Sequence, residues 1–217
     1  MKLAAIAAAL AAHGCYLLRG DDGRCAPNRT IAITTQDDVA AFAGCTRARG
    51  LVVRTSAPLD LVPLGTLREI DGDLIVGPTA SLESAGFNAL ERVGGAIRVT
   101  DNGALRGLYL PRLLDAGRVA IDANPTLRTV AMPRIAAIHG PFAVTDNGTL
   151  ELLTASSLVA VERELVVAGQ PKLANLEVAH LAAADGVRLE DDPQLPAELV
   201  ARLAKLPAAL PPPDRAR

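Results

Sequence analysis

The side chains best suited to chemistry are few and scattered along this chain. Beyond residue 14 the histidines are His139 and His180, at dissimilar positions of different segments. A histidine without a nearby base, acid or second ligand suits a turn or core place better than catalysis. Asp21-Asp22 and Asp191-Asp192 are adjacent pairs. Neighbours in an extended chain point to opposite sides, so these pairs fit solvated turns better than shared-proton work. Gly94-Gly95 looks like part of a phosphate loop, yet no Gly-Lys-Ser/Thr follows it. His, Cys and carboxylates nowhere show metal-ligand spacing. The expectation is therefore no catalytic residue, no metal and no cofactor. A formal charge of −2 lacks the basic excess of a nucleic-acid binder, so no nucleic-acid partner is expected either.

The cysteines carry more information. Lys2 precedes an unbroken run of ten apolar residues, Leu3 to Ala12, and His13-Gly14-Cys15 follow. Such a run is too short to cross about 30 Å of hydrocarbon and has the form of an export signal. The segment ending at Cys15 resembles the lipobox of bacterial lipoproteins, with Gly14 directly before the cysteine. Ala12 and His13 stand where that pattern carries Leu and a small residue. The resemblance implies that residues 1–14 are removed as a signal peptide and that Cys15 is acylated. Residues 15–24 then form a tether, and the N-terminal lipid holds the chain to a membrane of the bacterial cell envelope. Ordinary secretion, with cleavage near Gly14, is the alternative. Three cysteines are present in all. With Cys15 acylated, Cys25 and Cys45 remain as a pair in an oxidising compartment, either bridged or as two buried thiols. Bridging them would close a loop of about 20 residues and stabilise by roughly 3 kcal/mol. Arg19-Gly20-Asp21 matches an integrin-binding tripeptide, which in a tether reads as coincidence.

Any site must be positioned by a scaffold, and the sequence is periodic. Pairs of apolar residues flanking one position recur as Leu51/Val53, Leu74/Val76, Ile97/Val99, Val119/Ile121, Phe142/Val144, Leu165/Val167 and Val187/Leu189. They are spaced 23, 23, 22, 23, 23 and 22 residues apart. Leu59, Leu82, Leu105, Leu127, Leu150, Leu173 and Leu195 each follow eight residues after the first member of a pair. A further column runs Val62, Ala85, Leu108, Val130, Leu153, Leu176, and the next runs Leu64, Phe87, Leu110, Met132, Ala155, Val178. Two more begin at Leu67 and Ile70 and keep the same register. Apolar–x–apolar spacing places two side chains on one face of a strand, so each repeat holds at least two short strands. Ser56, Thr79, Asn102, Asn124, Asn147, Gln170 and Asp192 occupy a polar turn column, with Ala, Gly or Pro after each. Stacked coil on coil, these polar side chains can bond one another as a ladder. Half the chain is apolar, but only three Phe, two Tyr and no Trp contribute, which suits thin repeated layers.

The predicted fold is all-β: a parallel β-solenoid of six or seven coils with short capping helices. Before the first coil, Arg29 to Thr34 has the pattern of a strand. Thr35-Gln36-Asp37-Asp38 has that of a helix start, and Gly44 would stop this helix at about Ala43. Pro196 opens a second predicted helix over 196–206, with Leu199, Leu203 and Leu206 on one face. A cysteine, a strand, a short helix, a second cysteine and then 22–23-residue coils together resemble the receptor L domain. That is the ligand-binding solenoid of epidermal-growth-factor and insulin receptors, found also in bacterial surface proteins. The resemblance spans residues 25–206 and implies that fold and a recognition surface, not a particular ligand. No second cysteine pair stands near the C-terminal cap, where the receptor domains usually have one. Leucine-rich repeats compete through Leu105-x-x-Leu108-x-Leu110, but Leu113, Ile135 and Leu158 stand where their pattern requires Asn or Cys. Residues 207–217, with Pro211-Pro212-Pro213, read as a disordered tail.

The outward positions of the first strand are Val52, Ile75, Arg98, Ala120, Ala143, Val166 and Arg188. A β-helix polysaccharide lyase or hydrolase would need clustered carboxylates with Lys or Arg on such a face, and this stripe holds no acids. Its small apolar residues predict an exposed strip that meets a protein partner, although β-branched residues also favour strands for their own sake. Tyr109 is the one aromatic offering itself to a ligand, which makes sugar binding a weaker expectation. The sequence thus points to a monomeric, non-catalytic recognition lipoprotein, with a structural spacer as the alternative.

Overall fold

A computed structural model describes Cys25 and residues 28–209. The expected signal peptide 1–14, Cys15, the tether 15–24 and tail residues 210–217 lie outside the described residues. The described chain winds into a parallel β-solenoid of about seven coils. Leu51, Leu74, Ile97, Val119, Phe142, Leu165 and Val187 pair in register along the long sheet. The strand Thr30–Ile33 precedes them as an added edge, with Ile31 opposite Leu51. A second sheet stacks Ala85, Leu108, Val130, Leu153 and Leu176. The Ile70 column closes the third side of the coil, through Val93, Ala116, Ile138, Val161 and Ala184.

Stacking follows from burial. No single coil encloses its own apolar face, but each covers the next, so the middle columns are shut off from solvent. Truncating a column leucine such as Leu105 to Ala would cost about 2–5 kcal/mol. The corner between the sheets uses a residue in the left-handed region: Asp101 (φ 56°), Ala123 (53°), Asp146 (53°), Gly169 (72°) and Asp191 (58°). This turn swings the following polar side chain inward. Asn102, Asn124, Asn147 and Gln170 are fully buried there. Asn102 Nδ2 donates to Asn124 Oδ1 at 2.8 Å, and Asn124 Nδ2 to Asn147 Oδ1 at 2.9 Å, which makes the expected ladder.

Both caps form, each shorter than the sequence suggests. The first helix spans Gln36–Ala41, opened by a capping box between Thr35 and Asp38. Four hydrogen bonds from Thr34 and Thr35 hold the Asp38 carboxyl down at about 2. The helix ends ahead of Gly44, whose φ is +87°. Cys25 and Cys45 are joined in a disulfide with Cα atoms 5.2 Å apart. The second helix spans Ala197–Leu203 and sends Leu203 into the core over the last coil. Pro207 still accepts a hydrogen bond from the Ala184 N–H at 3.0 Å, so the chain remains bonded to the last coil past the expected boundary at 206.

One column is corrected. Val62 was expected inside, beneath Ala85, but it is 71% exposed and Leu61 takes the inward place. Val62–Leu64 form a single turn of 3-10 helix around Pro63, which has no N–H for a ladder. The first coil therefore contributes no strand to the short sheet, and Ser84–Gly86 becomes its edge.

Candidate binding site

The seven outward residues of the long sheet do form one column, each paired with the next from Val52 to Arg188. They do not form the exposed apolar strip that the sequence predicts. Strands about 4.8 Å apart let equivalent side chains cover one another's flanks. Val52, Ile75, Arg98, Ala120 and Ala143 are consequently half-buried, and Val166 is 5% exposed. The two arginines are engaged within their own face: Arg98 lies 3.8 Å from Asp73, and Arg188 lies 3.7 Å from Glu164 and 3.9 Å from Glu190. Tyr109 is not on this face at all. It stands on the short sheet, in the strand Gly107–Tyr109.

A concave site lies beside Tyr109 instead. At the outward positions where other coils carry Thr129, Leu152 and Asn175, the Tyr109 strand has Gly107. A Cβ on Gly107 would collide with Cε2, Cζ and the hydroxyl of Tyr109, so the phenol occupies the space that a side chain at 107 would fill. On the neighbouring edge strand Gly86 pairs with Tyr109. Above Gly86 the space is open: a Cβ there would meet nothing nearer than Asn88 Oδ1 at 3.9 Å. The result is a cleft of about 460 Å³ with Gly86 in its lining and Tyr109, 40% exposed, at its side. Asp60, Ser81, Glu83, Ser84 and Asn88 supply its polar lining, and the irregular Pro58–Val62 segment lines the side where the first coil lacks a strand.

The wall is held by its own hydrogen bonds. Asp60 Oδ1 accepts from the Val62 N–H at 2.9 Å, and the Asp60 N–H donates to Gln36 Oε1 at 2.9 Å. Ser81 Oγ donates to the Ser56 carbonyl at 3.0 Å. Sequence reasoning singled out Tyr109 but missed the rest of the cleft. The available signal was the glycine pair at outward strand positions, Gly86 and Gly107, adjoining the lone exposed aromatic.

His139 was also missed as an interacting residue. It follows Ile138 as Glu162 follows Val161, which places the two on adjacent coils. Nδ1 of His139 lies 2.7 Å from Glu162 Oε1, and Nε2 lies 2.6 Å from Asp115 Oδ2. The hydrogen bond to Glu162 is the main influence raising the His139 pKa; burial opposes it, and Asp115 adds to it. Both ring nitrogens are engaged, so the group works as a clasp across three coils. Among the described residues no three His, Cys, Asp or Glu side chains are placed to hold a metal ion, and no helix is long and apolar enough to cross a membrane. Compared with known protein families, curated proteins and solved structures, the chain matches none.

Proposed function

We propose that this chain is a non-catalytic recognition protein, a receptor-L-domain-like solenoid held at the bacterial cell envelope by lipid on Cys15, and that it takes its ligand beside Tyr109. The observation that carries the reading is the aromatic ring packed against Gly107 next to the bare backbone of Gly86. Ligand sites are typically concave, with an apolar surface and a few convergent polar groups, and this cleft combines all three. The flat stripe from Val52 to Arg188 offers neither concavity nor unengaged arginines. The lipid anchor is supported by the apolar run Leu3 to Ala12 and the His13-Gly14-Cys15 that follows it, which leaves Cys25 and Cys45 as the disulfide.

The chain has no Trp, and its two tyrosines are Tyr16 and Tyr109. In a Tyr16→Phe background the tyrosine emission therefore reports the cleft alone. Titrating that protein with the soluble small-molecule fraction of a bacterial envelope should change the emission, and Gly86→Val should remove the change. Emission that never responds favours the spacer reading.

A further inference from the structure

We infer that the ligand of the Tyr109 cleft is a neutral saccharide, an assignment that rests on the cleft being the recognition site. Three observations point to this chemistry. The first is the platform. An aromatic face carries partial negative charge, and the C–H face of a sugar ring is weakly positive and apolar, so the two stack. Tyr109 packs against Gly107 and is 40% exposed in the lining of the cleft, which makes it the aromatic available there for such a contact.

The second is the polar lining. The Glu83 carboxylate, the Ser84 hydroxyl, the Asn88 amide and the Tyr109 hydroxyl make no side-chain hydrogen bond within the described residues, in contrast to Asp60 and Ser81, which hold the wall. Together they supply acceptors from a carboxylate, and both donors and acceptors from hydroxyls and an amide. Sugar hydroxyls donate and accept at the same atom, and this mixed set matches them. A cation would leave the donors without use.

The third is charge and size. The charged residues of the lining are Asp60 and Glu83, both acidic, and no Lys or Arg belongs to it. Uronates and phosphorylated sugars would be repelled, whereas an uncharged sugar meets a ready acceptor. The volume of about 460 Å³ falls among ligand clefts, roughly 300–1,000 Å³.

The test is calorimetric titration of the full chain in detergent with maltohexaose, cellohexaose, chitohexaose, hexagalacturonate and choline. At least one neutral oligosaccharide should bind, and hexagalacturonate and choline should not. Tyr109→Ala should weaken the sugar about tenfold, the scale of one lost stacking contact with its buried area. Glu83→Gln should weaken it as well. Gly86→Val should abolish binding with an unchanged circular dichroism spectrum, because a β-branched residue suits a strand and fills the space above it. If Gly86→Val fails to fold, Gly86→Ala takes its place, since its methyl group meets only Asn88 Oδ1. Choline bound in place of sugar, and lost in Gly86→Val, overturns the saccharide assignment and leaves the cleft reading standing. Sugar bound equally well by Gly86→Val overturns both. No neutral sugar bound overturns the assignment, and the envelope titration then decides separately on the cleft.

Discussion

Asp192 closes the buried polar ladder with the wrong functional group, so Asp192→Asn should stabilise the protein. At the four rungs before it, Asn102, Asn124, Asn147 and Gln170, the side chain is an amide with hydrogens to give. Asn147 Nδ2 donates to the carbonyls of Ile121 at 3.2 Å and Thr145 at 2.7 Å, and Gln170 Nε2 to those of Val144 at 3.2 Å and Ala168 at 2.7 Å. Asp192 Oδ1 accepts from the Gln170 N–H at 2.8 Å, as the column requires. Its Oδ2 is buried and has no partner among the described residues. Burial, above all, pushes the Asp192 carboxyl up from its ordinary value, and the neighbouring Asp191 charge pushes the same way. An unmet buried polar atom costs about 1–3 kcal/mol, and the partial exposure of this last coil places the gain from an amide near the low end, about 1 kcal/mol. That corresponds to roughly 2–4 °C in melting temperature for a chain of this size. The pH dependence is the sharper check. A carboxyl whose folded pKa is raised destabilises the fold only as pH climbs from its unfolded value through the folded one. Below that window it is protonated in both states and can donate as an amide does. Thermal unfolding followed by circular dichroism should therefore show the gain at about pH 7 and little of it at about pH 3. Hydrogen exchange at the Gln170 amide should slow in the variant at the higher pH. An equal gain at both pH values, or a loss at neutral pH, would refute the reasoning.

Cys45→Ser should remove roughly 3 kcal/mol from the N-terminal cap, given the 20-residue separation. Hydrogen exchange should quicken in the first coils and hold steady in the middle, and uniform acceleration would contradict this local picture. The His139 clasp has a raised pKa, so its contribution is complete below the unfolded value and is lost as pH rises through the folded one. Melting temperature should accordingly fall as pH rises above the ordinary histidine value of 6.5, with a flatter profile in His139→Asn; matching profiles would dismiss the clasp. Cys15→Ser should release the chain from the membrane fraction, and mass spectrometry of the parent protein should find an acylated N-terminal cysteine, with an unmodified one retiring the anchor.

The inward half of this fold was legible because inward positions obey the repeat. Leu82, Leu105, Leu127, Leu150 and Leu173 are all fully buried, and the spacing of 22 or 23 residues alone stacks them. The polar column was equally readable, since Asn at a corner has few other uses. Outward positions carry no such constraint. Alternation correctly says that Val166 points away from the core, yet whether it is exposed depends on Ala143 and Arg188 beside it, a relation between coils that strand periodicity does not contain. The link between His139 and Asp115 is hidden for the same reason, because it runs diagonally between coils, two places off the shared column.

The cleft is harder still to read, because it exists where the repeat breaks. Pro63 withholds an N–H from the ladder, Val62 turns out, and the short sheet loses its first strand. Gly86 and Gly107 then remove two side chains from the exposed edge, and Tyr109 lies into the space left over Gly107. A regular coil at that place would have covered Gly86 and closed the site. In a solenoid the conserved geometry of stacking leaves each coil like the next, so a single binding place requires a local departure from it. The edge at Gly86 is such a departure on the short sheet. It is also the place where the one exposed tyrosine of the described chain stands, and for that reason the ligand is sought there and not on the uninterrupted stripe from Val52 to Arg188.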